Sequence, residues 1–404
     1  MSRSVRSAAW IRSGLIPGCL AFLAFVSLGL PDGLMGVAWP FVRSTFGLPL
    51  DALGLLLAVA TAGYAAAGAL SSRLTARLGV GTLLAWSCLT TAVSLLGYAV
   101  APAWWAVVAC ALLTGAGGGA IDAGINQYAA RRFTRRGVTW LHASFGTGAA
   151  MGPAIMTTTI AAGYGWQAGY ALVAFGQLIL AGIFAWARRA WSGPEEDAGT
   201  VAEAQSGDAA SRSRLAAVLS VSLFFAYTGL ESATGQWSFT FLTAGRGVEM
   251  REAGLWVSAF WLGLTAGRVL LGLIADTVPA TRLIRASLAG GMVGLAAVAL
   301  APVAWLAELG LAVAGFSYAA VFPMLIASTP TRFGASQSAA VIGWQVSAAA
   351  IGYALVPGLV GVLAERLGVM SIGLALLTGW VATIVLFEAG EWRAPTVPTA
   401  TGID

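Results

Sequence analysis

The sequence contains little charge, one histidine, three cysteines and no lysine. Charged residues make up 10% of its 404 residues, whereas soluble domains average about 25%, so an ordinary soluble fold is excluded. Cys19, Cys88 and Cys110 lie in apolar runs without a CxxC pattern. One histidine cannot complete a zinc site with them, so we expect no metal and no disulfide. We expect no enzyme either, because the sequence offers no nucleophile–base arrangement.

Long apolar runs fill most of the sequence instead. Hydrophobic residues make up 58% of the chain, and its mean hydropathy is +0.81. A helix needs about 20 mostly apolar residues to cross the hydrocarbon core of a bilayer. Breaks at Arg, Pro and Gly-rich segments predict twelve such spans, near residues 15–40, 50–71, 80–100, 104–130, 139–162, 166–187, 215–243, 252–275, 282–301, 303–328, 336–362 and 368–389.

The arginines predict the orientation of these spans. With the N-terminus in the cytoplasm, seventeen arginines fall on the cytoplasmic side and one, Arg268, lies within a span. The other side holds four, namely Arg43, Arg246, Arg251 and Arg366. Positive residues concentrate in cytoplasmic loops, so we predict a multi-pass protein of the cytoplasmic membrane with both termini in the cytoplasm. Because the arginines lie in short loops rather than on one face, we expect no nucleic-acid partner.

One long hydrophilic stretch divides the predicted spans six and six. It contains Gly193, Pro194 and an acidic cluster at 195–197, and its composition cannot build a core. We therefore predict an N-terminal six-helix bundle, a cytoplasmic linker, a C-terminal six-helix bundle and a cytoplasmic tail, at residues 1–187, 188–214, 215–390 and 391–404 respectively.

The two halves repeat each other at a shared spacing. Gly68 and Gly272 begin similar loops after spans 2 and 8, and they are 204 residues apart. Gly148 and Gly352, in spans 5 and 11, are separated by the same 204 residues. Both halves begin on the same side, so the repeat is parallel. The predicted fold is an all-α integral membrane protein whose twelve transmembrane helices form two six-helix bundles, related by a pseudo-two-fold axis along the membrane normal.

This arrangement resembles the major facilitator superfamily. The superfamily's loop signature after spans 2 and 8 is roughly G-x-x-x-D-R-x-G-R-R. Gly272 and Asp276 keep part of it, whereas Ser72 replaces the acid in the first copy. Four further strings resemble the fucose permease-like branch, and they are Gly115–Asn126, Leu141–Pro153, Tyr227–Glu231 with Trp237, and Val321–Pro323. That branch includes proton-coupled sugar symporters and sodium-linked glucose carriers, and the resemblance implies that spans 1 and 7 line a central cavity.

Five ionisable side chains lie inside the apolar runs, and they are Asp32, Asp122, His142, Glu231 and Arg268. A charge at the bilayer centre costs at least ~2.5–3.5 kcal/mol, so such residues point to function. Asp122 and Asn126 share one helix face because they are four residues apart. Asp122 and His142 lie on successive antiparallel spans in the predicted cytoplasmic part of the membrane. We expect either a proton-sensitive pair or a static polar contact there.

Asp32 and Glu231 lie at the same depth in spans 1 and 7. They could bind a proton, a cation or sugar hydroxyls, although Asp32 could also be an interfacial residue at a helix end. Pro31 and Gly33 are expected to loosen span 1 beside Asp32.

Arg268 could hold an anionic substrate or snorkel to the cytoplasm. We favour a structural ion pair with an acid that supports an inner gate near Asp276.

Aromatic and amide side chains supply candidates for a substrate site. Aromatic faces stack on sugar rings, and amides bind hydroxyls. The candidates are Asn126, Tyr227, Gln236, Trp237, Trp261, Trp344 and Gln345. Because the chain has 16 tryptophans, most of them must serve in interfacial belts or in packing.

Together these patterns predict a monomeric secondary active transporter in the lipid bilayer. It would move a small solute, with a sugar or related polar metabolite favoured, by alternating access. We expect coupling to H⁺ or to Na⁺ and no cofactor. The alternative is a drug or metabolite exporter of the same fold that works as an H⁺ antiporter, since an apolar, aromatic cavity with few acids suits lipophilic substrates.

Overall fold

The structure is a computed structural model that describes residues 3–191, 212–275 and 277–393. Asp276, most of the predicted linker 188–214 and most of the predicted tail 391–404 lie outside the described residues.

Helices make up almost all of the described chain. They are α1 (Arg3–Phe46), α2 (Ala52–Leu78), α3 (Val80–Val100), α4 (Trp104–Arg132), α5 (Arg135–Ala161), α6 (Gly165–Ala187), α7 (Arg212–Thr240), α8 (Met250–Ile274), α9 (Ala280–Leu300), α10 (Ala304–Tyr318), α11 (Val321–Phe333), α12 (Ala335–Leu367) and α13 (Ser371–Arg393). A 3₁₀ turn, Arg188–Trp191, follows α6, and a π-helical turn, Phe241–Gly245, follows α7.

Eleven of the helical segments are long and apolar enough to cross a membrane, with α10 and α11 counted as one. The remaining long helix, α5, spans 27 residues but is less apolar because it carries several Gly and Thr residues, Arg and His142. With α5 included, the predicted all-α membrane architecture of twelve spans is confirmed. One predicted span, 303–328, is two helices, since the chain turns at Ala319 and Ala320.

The same helix pairings occur in both halves. In the first half α1 packs on α5, α2 on α4 and α3 on α6; in the second α7 packs on α12, α8 on α10 and α9 on α13. The predicted repeat has a structural counterpart. Gly148 lets α5 approach the Val26 carbonyl of α1, and Gly352 lets α12 approach the Phe225 carbonyl of α7. A side chain at either glycine would collide with backbone.

Among the described residues, three helix pairs make the main contacts between the two bundles, namely α1 with α7, α2 with α12 and α5 with α8. At one end the α2–α12 contact is tight, because a Cβ at Gly54 would lie 2.8 Å from the Gly358 Cα. Nearby, the Leu50 amide donates to Glu365 Oε2 at 2.6 Å. We call this end, which carries the loop 47–51, the closed end.

At the other end the two bundles separate. A Cβ at Gly68 of α2 or at Gly343 of α12 would meet no atom within 4 Å. The buried core shows the same asymmetry. One apolar cluster includes residues of both bundles, such as Trp39 and Trp237 near the closed end, whereas a second cluster, which includes Leu20 and Trp191, belongs to the first bundle alone. The space between the bundles therefore opens at this end, which we call the open end.

The expected loosening of span 1 beside Asp32 is wrong, because α1 continues as an α-helix through Pro31. Proline has no N–H, so the carbonyl of Ser27 loses its helical donor. Gln177 of α6 replaces that donor, since its Nε2 donates to the Ser27 oxygen at 2.9 Å. Gly33 packs directly on α5, where a Cβ would reach Pro153 Cδ at 2.9 Å.

A second proline is accommodated in the same way. Pro357 lies inside α12 and removes the helical donor of the Tyr353 carbonyl. Ser232 Oγ of α7 donates to that carbonyl at 3.0 Å. Neighbouring side chains thus satisfy the backbone groups that proline frees within the membrane.

Candidate functional site

Asp122 is bound by neutral hydrogen-bond donors. The hydroxyl of Tyr64, on α2, donates to Asp122 Oδ2 at 2.6 Å. Asn126, one turn further along α4, donates through Nδ2 to Oδ1 at 2.9 Å. The predicted shared face of Asp122 and Asn126 is therefore present. No arginine of the described residues pairs with this carboxyl.

Asp32 lies where the two bundles meet. Its carboxyl lies close to the Tyr353 side chain, on α12 of the other bundle, and interacts with it electrostatically. Its backbone carbonyl accepts from Gln236 Nε2, on α7, at 3.3 Å. Tyr64 is close enough to both Asp32 and Asp122 to interact with them electrostatically. Two intramembrane acids of the first bundle thus lie within electrostatic range of one tyrosine.

Glu231 forms the ion pair that was expected for Arg268. Arg268 Nη2, on α8, lies 3.2 Å from Glu231 Oε1, and both side chains are 13% exposed. The Tyr227 hydroxyl lies 2.6 Å from the other carboxyl oxygen, Oε2. Arg268 thus pairs with an acid of its own bundle. That acid lies on α7, which corresponds to α1 in the repeat.

Tyr64 and Arg268 occupy equivalent positions in the repeat. They are 204 residues apart, on α2 and α8, and each contacts an acid of its own bundle. The first bundle therefore holds its acid with a neutral donor, and the second holds its acid with a cation.

His142 does not pair with Asp122 in this structure. Its ring makes an edge contact with Phe25 of α1 at a centroid distance of 5.3 Å, and it is near enough to Arg268 for electrostatic repulsion when charged. The reason is the packing order, since α4 packs mainly on α2 and α3, and α5 mainly on α1 and α8. His142 has neighbours in both bundles and is nevertheless exposed, so it borders the space between them.

Trp344 also faces the space between the bundles. It lies 14 residues before Gly358 on α12, which is close to four helical turns, so both residues share the face that meets α2. Gly68 lies 14 residues after Gly54 on α2. Trp344 therefore lies opposite Gly68 towards the open end, and it is 59% exposed.

The other predicted substrate residues are engaged in packing in this conformation. Trp237 is fully buried and donates through Nε1 to the Pro357 carbonyl at 2.8 Å. Gln345 is buried within the second bundle, where its Nε2 donates to Ser220 Oγ at 2.7 Å. Trp261 is buried against Gly235. Their geometry favours roles in holding helices together.

Two tyrosines of the site were not predicted from the sequence. Tyr64 donates to Asp122, and Tyr353 lies close to Asp32. A signal for Tyr64 was present, because the 204-residue repeat aligns it with Arg268. Tyr353 directly follows Gly352, one of the two glycines that the 204-residue repeat aligns. Among the described residues, no group of three His, Cys, Asp or Glu side chains could hold a metal ion.

Comparisons with known proteins agree with this fold. A family model described as "Major Facilitator Superfamily" matches residues 20–357. The fold is similar to a crystal structure of a bacterial homologue of the human lysosomal transporter Spinster, in an inward-facing and unoccupied conformation. The two chains are 16% identical, the TM-score is 0.68, and the match covers 97% of each chain. At this identity the likeness shows the fold alone.

Proposed function

This chain belongs to the Major Facilitator Superfamily, and we propose that it moves a small polar solute, a sugar or related metabolite, by alternating access coupled to H⁺. Family and fold indicate a multi-pass membrane transporter rather than an enzyme. The observation that carries the coupled mechanism is the pair Asp32 and Asp122 around Tyr64, without an arginine partner among the described residues.

Asp122 is the proposed coupling site. Its two partners are neutral donors that can hold the ionised carboxylate, and the same tyrosine and amide can accept from a protonated acid. When Asp122 takes up a proton, a charge is removed from a low-dielectric site. The free energy of a conformation that buries Asp122 therefore changes.

Asp32 can carry such a change to the bundle interface. The Tyr353 side chain of the opposite bundle lies within electrostatic range of the Asp32 carboxyl, and the Tyr353 carbonyl accepts from Ser232. A change of charge at Asp32 therefore acts on a contact between the two bundles. Alternating access requires the two bundles to move relative to each other, so this contact can link the charge to the conformation.

The proposed substrate lies between Asn126 and Asp122 on one side and Trp344 on the other. The polar groups suit hydroxyls, and the exposed indole provides an apolar face for a sugar ring. Arginine placement predicts that the open end faces the cytoplasm. We therefore assign the structure to an inward-open state, with both termini in the cytoplasm of the cell that carries the transporter.

The test of coupling is transport in proteoliposomes with an imposed pH gradient and labelled hexoses. Asp122→Asn should abolish uphill uptake and spare exchange of substrate between the two sides. Asp51→Asn makes the same chemical change in the loop at the closed end, where no capping bond of the Asp51 side chain is present, and should transport normally. Uphill uptake that survives Asp122→Asn would overturn the assignment of Asp122.

A second pair of variants tests the substrate. Trp344→Ala should raise the KM for the sugar, whereas Trp86→Ala removes an indole of similar exposure, 58%, from α3 and should not. If hexoses are not transported but lipophilic cations are extruded in exchange for protons, the exporter alternative replaces the sugar proposal.

A further inference from the structure

The Tyr227 hydroxyl lies against two acceptors but has one hydrogen. Its oxygen is 2.6 Å from Glu231 Oε2 and 2.7 Å from the backbone carbonyl oxygen of Tyr318. A phenol can donate one hydrogen bond and accept others. If Tyr227 donates to the carbonyl, which can only accept, then the short contact with Oε2 requires a hydrogen on the carboxyl.

The Tyr318 carbonyl lies at the break in the tenth span. The α10 helix ends at Tyr318, α11 begins at Val321, and Pro323 follows. Among the described residues, the Tyr227 hydroxyl is the hydrogen-bond donor to this carbonyl. The Tyr318 hydroxyl is occupied separately, because it lies 3.2 Å from Thr234 Oγ1, whose own hydrogen goes to the Leu230 carbonyl.

The contact with Arg268 is also consistent with a neutral acid. An arginine and a carboxylate often form two parallel hydrogen bonds at about 2.7–2.9 Å. Here one bond of 3.2 Å joins Arg268 Nη2 to Glu231 Oε1, and the buried Arg268 Nε meets no acceptor among the described residues. A protonated Glu231, with Oε1 as its carbonyl oxygen and Oε2 as its hydroxyl oxygen, satisfies the contacts with Arg268 and Tyr227.

We propose that Glu231 is a proton-binding site and that its proton controls the break in the tenth span. In this conformation the hydrogen bonds run from Glu231 to Tyr227 and from Tyr227 to the Tyr318 carbonyl. When the proton leaves to water in the space between the bundles, the Tyr227 hydroxyl turns to the carboxylate. The Tyr318 carbonyl then loses its donor, Arg268 gains a full ion pair, and the break is no longer fixed to α7.

The groups around Glu231 from neighbouring helices allow this change. Arg268 approaches from α8, and Tyr353 of α12 lies within electrostatic range of Glu231 with Asp32 of α1 behind it. From α13, Trp380 contributes a ring that stacks on Tyr318 at 4.3 Å. The inference extends the proposed function, because it adds a second proton site to the coupled cycle, but its tests need no substrate.

Infrared spectroscopy of the reconstituted full chain tests the proton directly. The spectrum should contain the carbonyl stretch of a protonated carboxyl, and the band should be lost in Glu231→Gln. Glu308→Gln changes another buried acid of the same bundle, which is 3% exposed, and should keep the band of Glu231. The proposal would be overturned if, at every pH at which the protein stays folded, the wild-type spectrum contained no band that Glu231→Gln removes.

A distance measurement tests the link to conformation. Spin labels at Leu70 of α2 and Ser347 of α12, both exposed near the open end, are introduced after replacement of the three cysteines. The wild-type distance distribution should change with pH, and Glu231→Gln should keep the low-pH distribution throughout. Tyr227→Phe, which cannot bridge the two acceptors, should lose most of the pH response. A Glu231→Gln variant that follows the wild type would refute the link, whether or not Asp122 proves to couple transport.

Discussion

The tight contact between Gly54 and Gly358 should control which end of the transporter is closed. A Cβ at Gly54 would lie 2.8 Å from the Gly358 Cα, whereas carbon atoms pack best at about 3.5–4.0 Å. The obstacle is backbone, so no rotamer change relieves it, and the two bundles must move apart. Gly54→Leu therefore penalises the closed end without touching the acids.

The size of the effect follows from the packing. Overfilling a close-packed contact costs about 1–3 kcal/mol, which shifts a two-state equilibrium by about 5- to 150-fold. Spin labels at Pro49 and Arg366, exposed residues at the closed end, report the separation there. Gly54→Leu should add or enlarge a long-distance population between them.

The matched control lies on the same helix. Gly68→Leu places the same side chain where no atom lies within 4 Å in this structure, so it should leave the Pro49–Arg366 distances of this state unchanged. Equal shifts in Gly54→Leu and Gly68→Leu, or no shift in either, would refute the argument that bundle contact at Gly54 sets the conformation.

Two further contacts give predictions of different size. Glu365→Ala removes the acceptor of the Leu50 amide. Because Glu365 is exposed, the closed end should lose only about 1 kcal/mol of stability, and a cysteine placed at Pro49 should be labelled modestly faster. A complete opening of this end would contradict the prediction. Gln177→Leu leaves the Ser27 carbonyl unpaired and should destabilise the protein by about 1–3 kcal/mol in thermal unfolding in detergent. Adding Pro31→Ala restores a backbone donor and should recover part of that loss; a double variant no more stable than Gln177→Leu would show that the carbonyl is not the cause.

The apolar pattern predicted the fold well because membrane spans depend on length and composition. The third span was predicted at 80–100, and the structure has α3 at Val80–Val100. The first was ended at residue 40, but α1 continues through Pro40 to Phe46. Proline was read as a stop, whereas a membrane helix tolerates it when neighbours satisfy the freed carbonyls.

The site was harder to predict because it depends on which helices touch. Asp122 and His142 were placed together since their spans are adjacent in sequence. In the bundle α4 packs mainly on α2 and α3, so the partner of Asp122 is Tyr64, 58 residues earlier. Sequence order gives the depth of a residue in the membrane. The direction in which its side chain points around the helix axis, and therefore its neighbours, depend on packing between helices that are distant in the chain.

The repeat connects these outcomes. One ancestral arrangement of six helices predicts similar sites in both halves, and the structure places an acid in contact with residue 64 in one half and with residue 268 in the other. The donor differs, being a neutral phenol in the first half and a guanidinium in the second. Arg268 gains a full ion pair only when Glu231 is ionised, whereas Tyr64 can bind Asp122 in both protonation states, so proton release should change the contacts of Glu231 more than those of Asp122. From that asymmetry we expect separate roles for the two bundles, with Asp122 binding the coupling proton and Glu231 acting on the break in the tenth span.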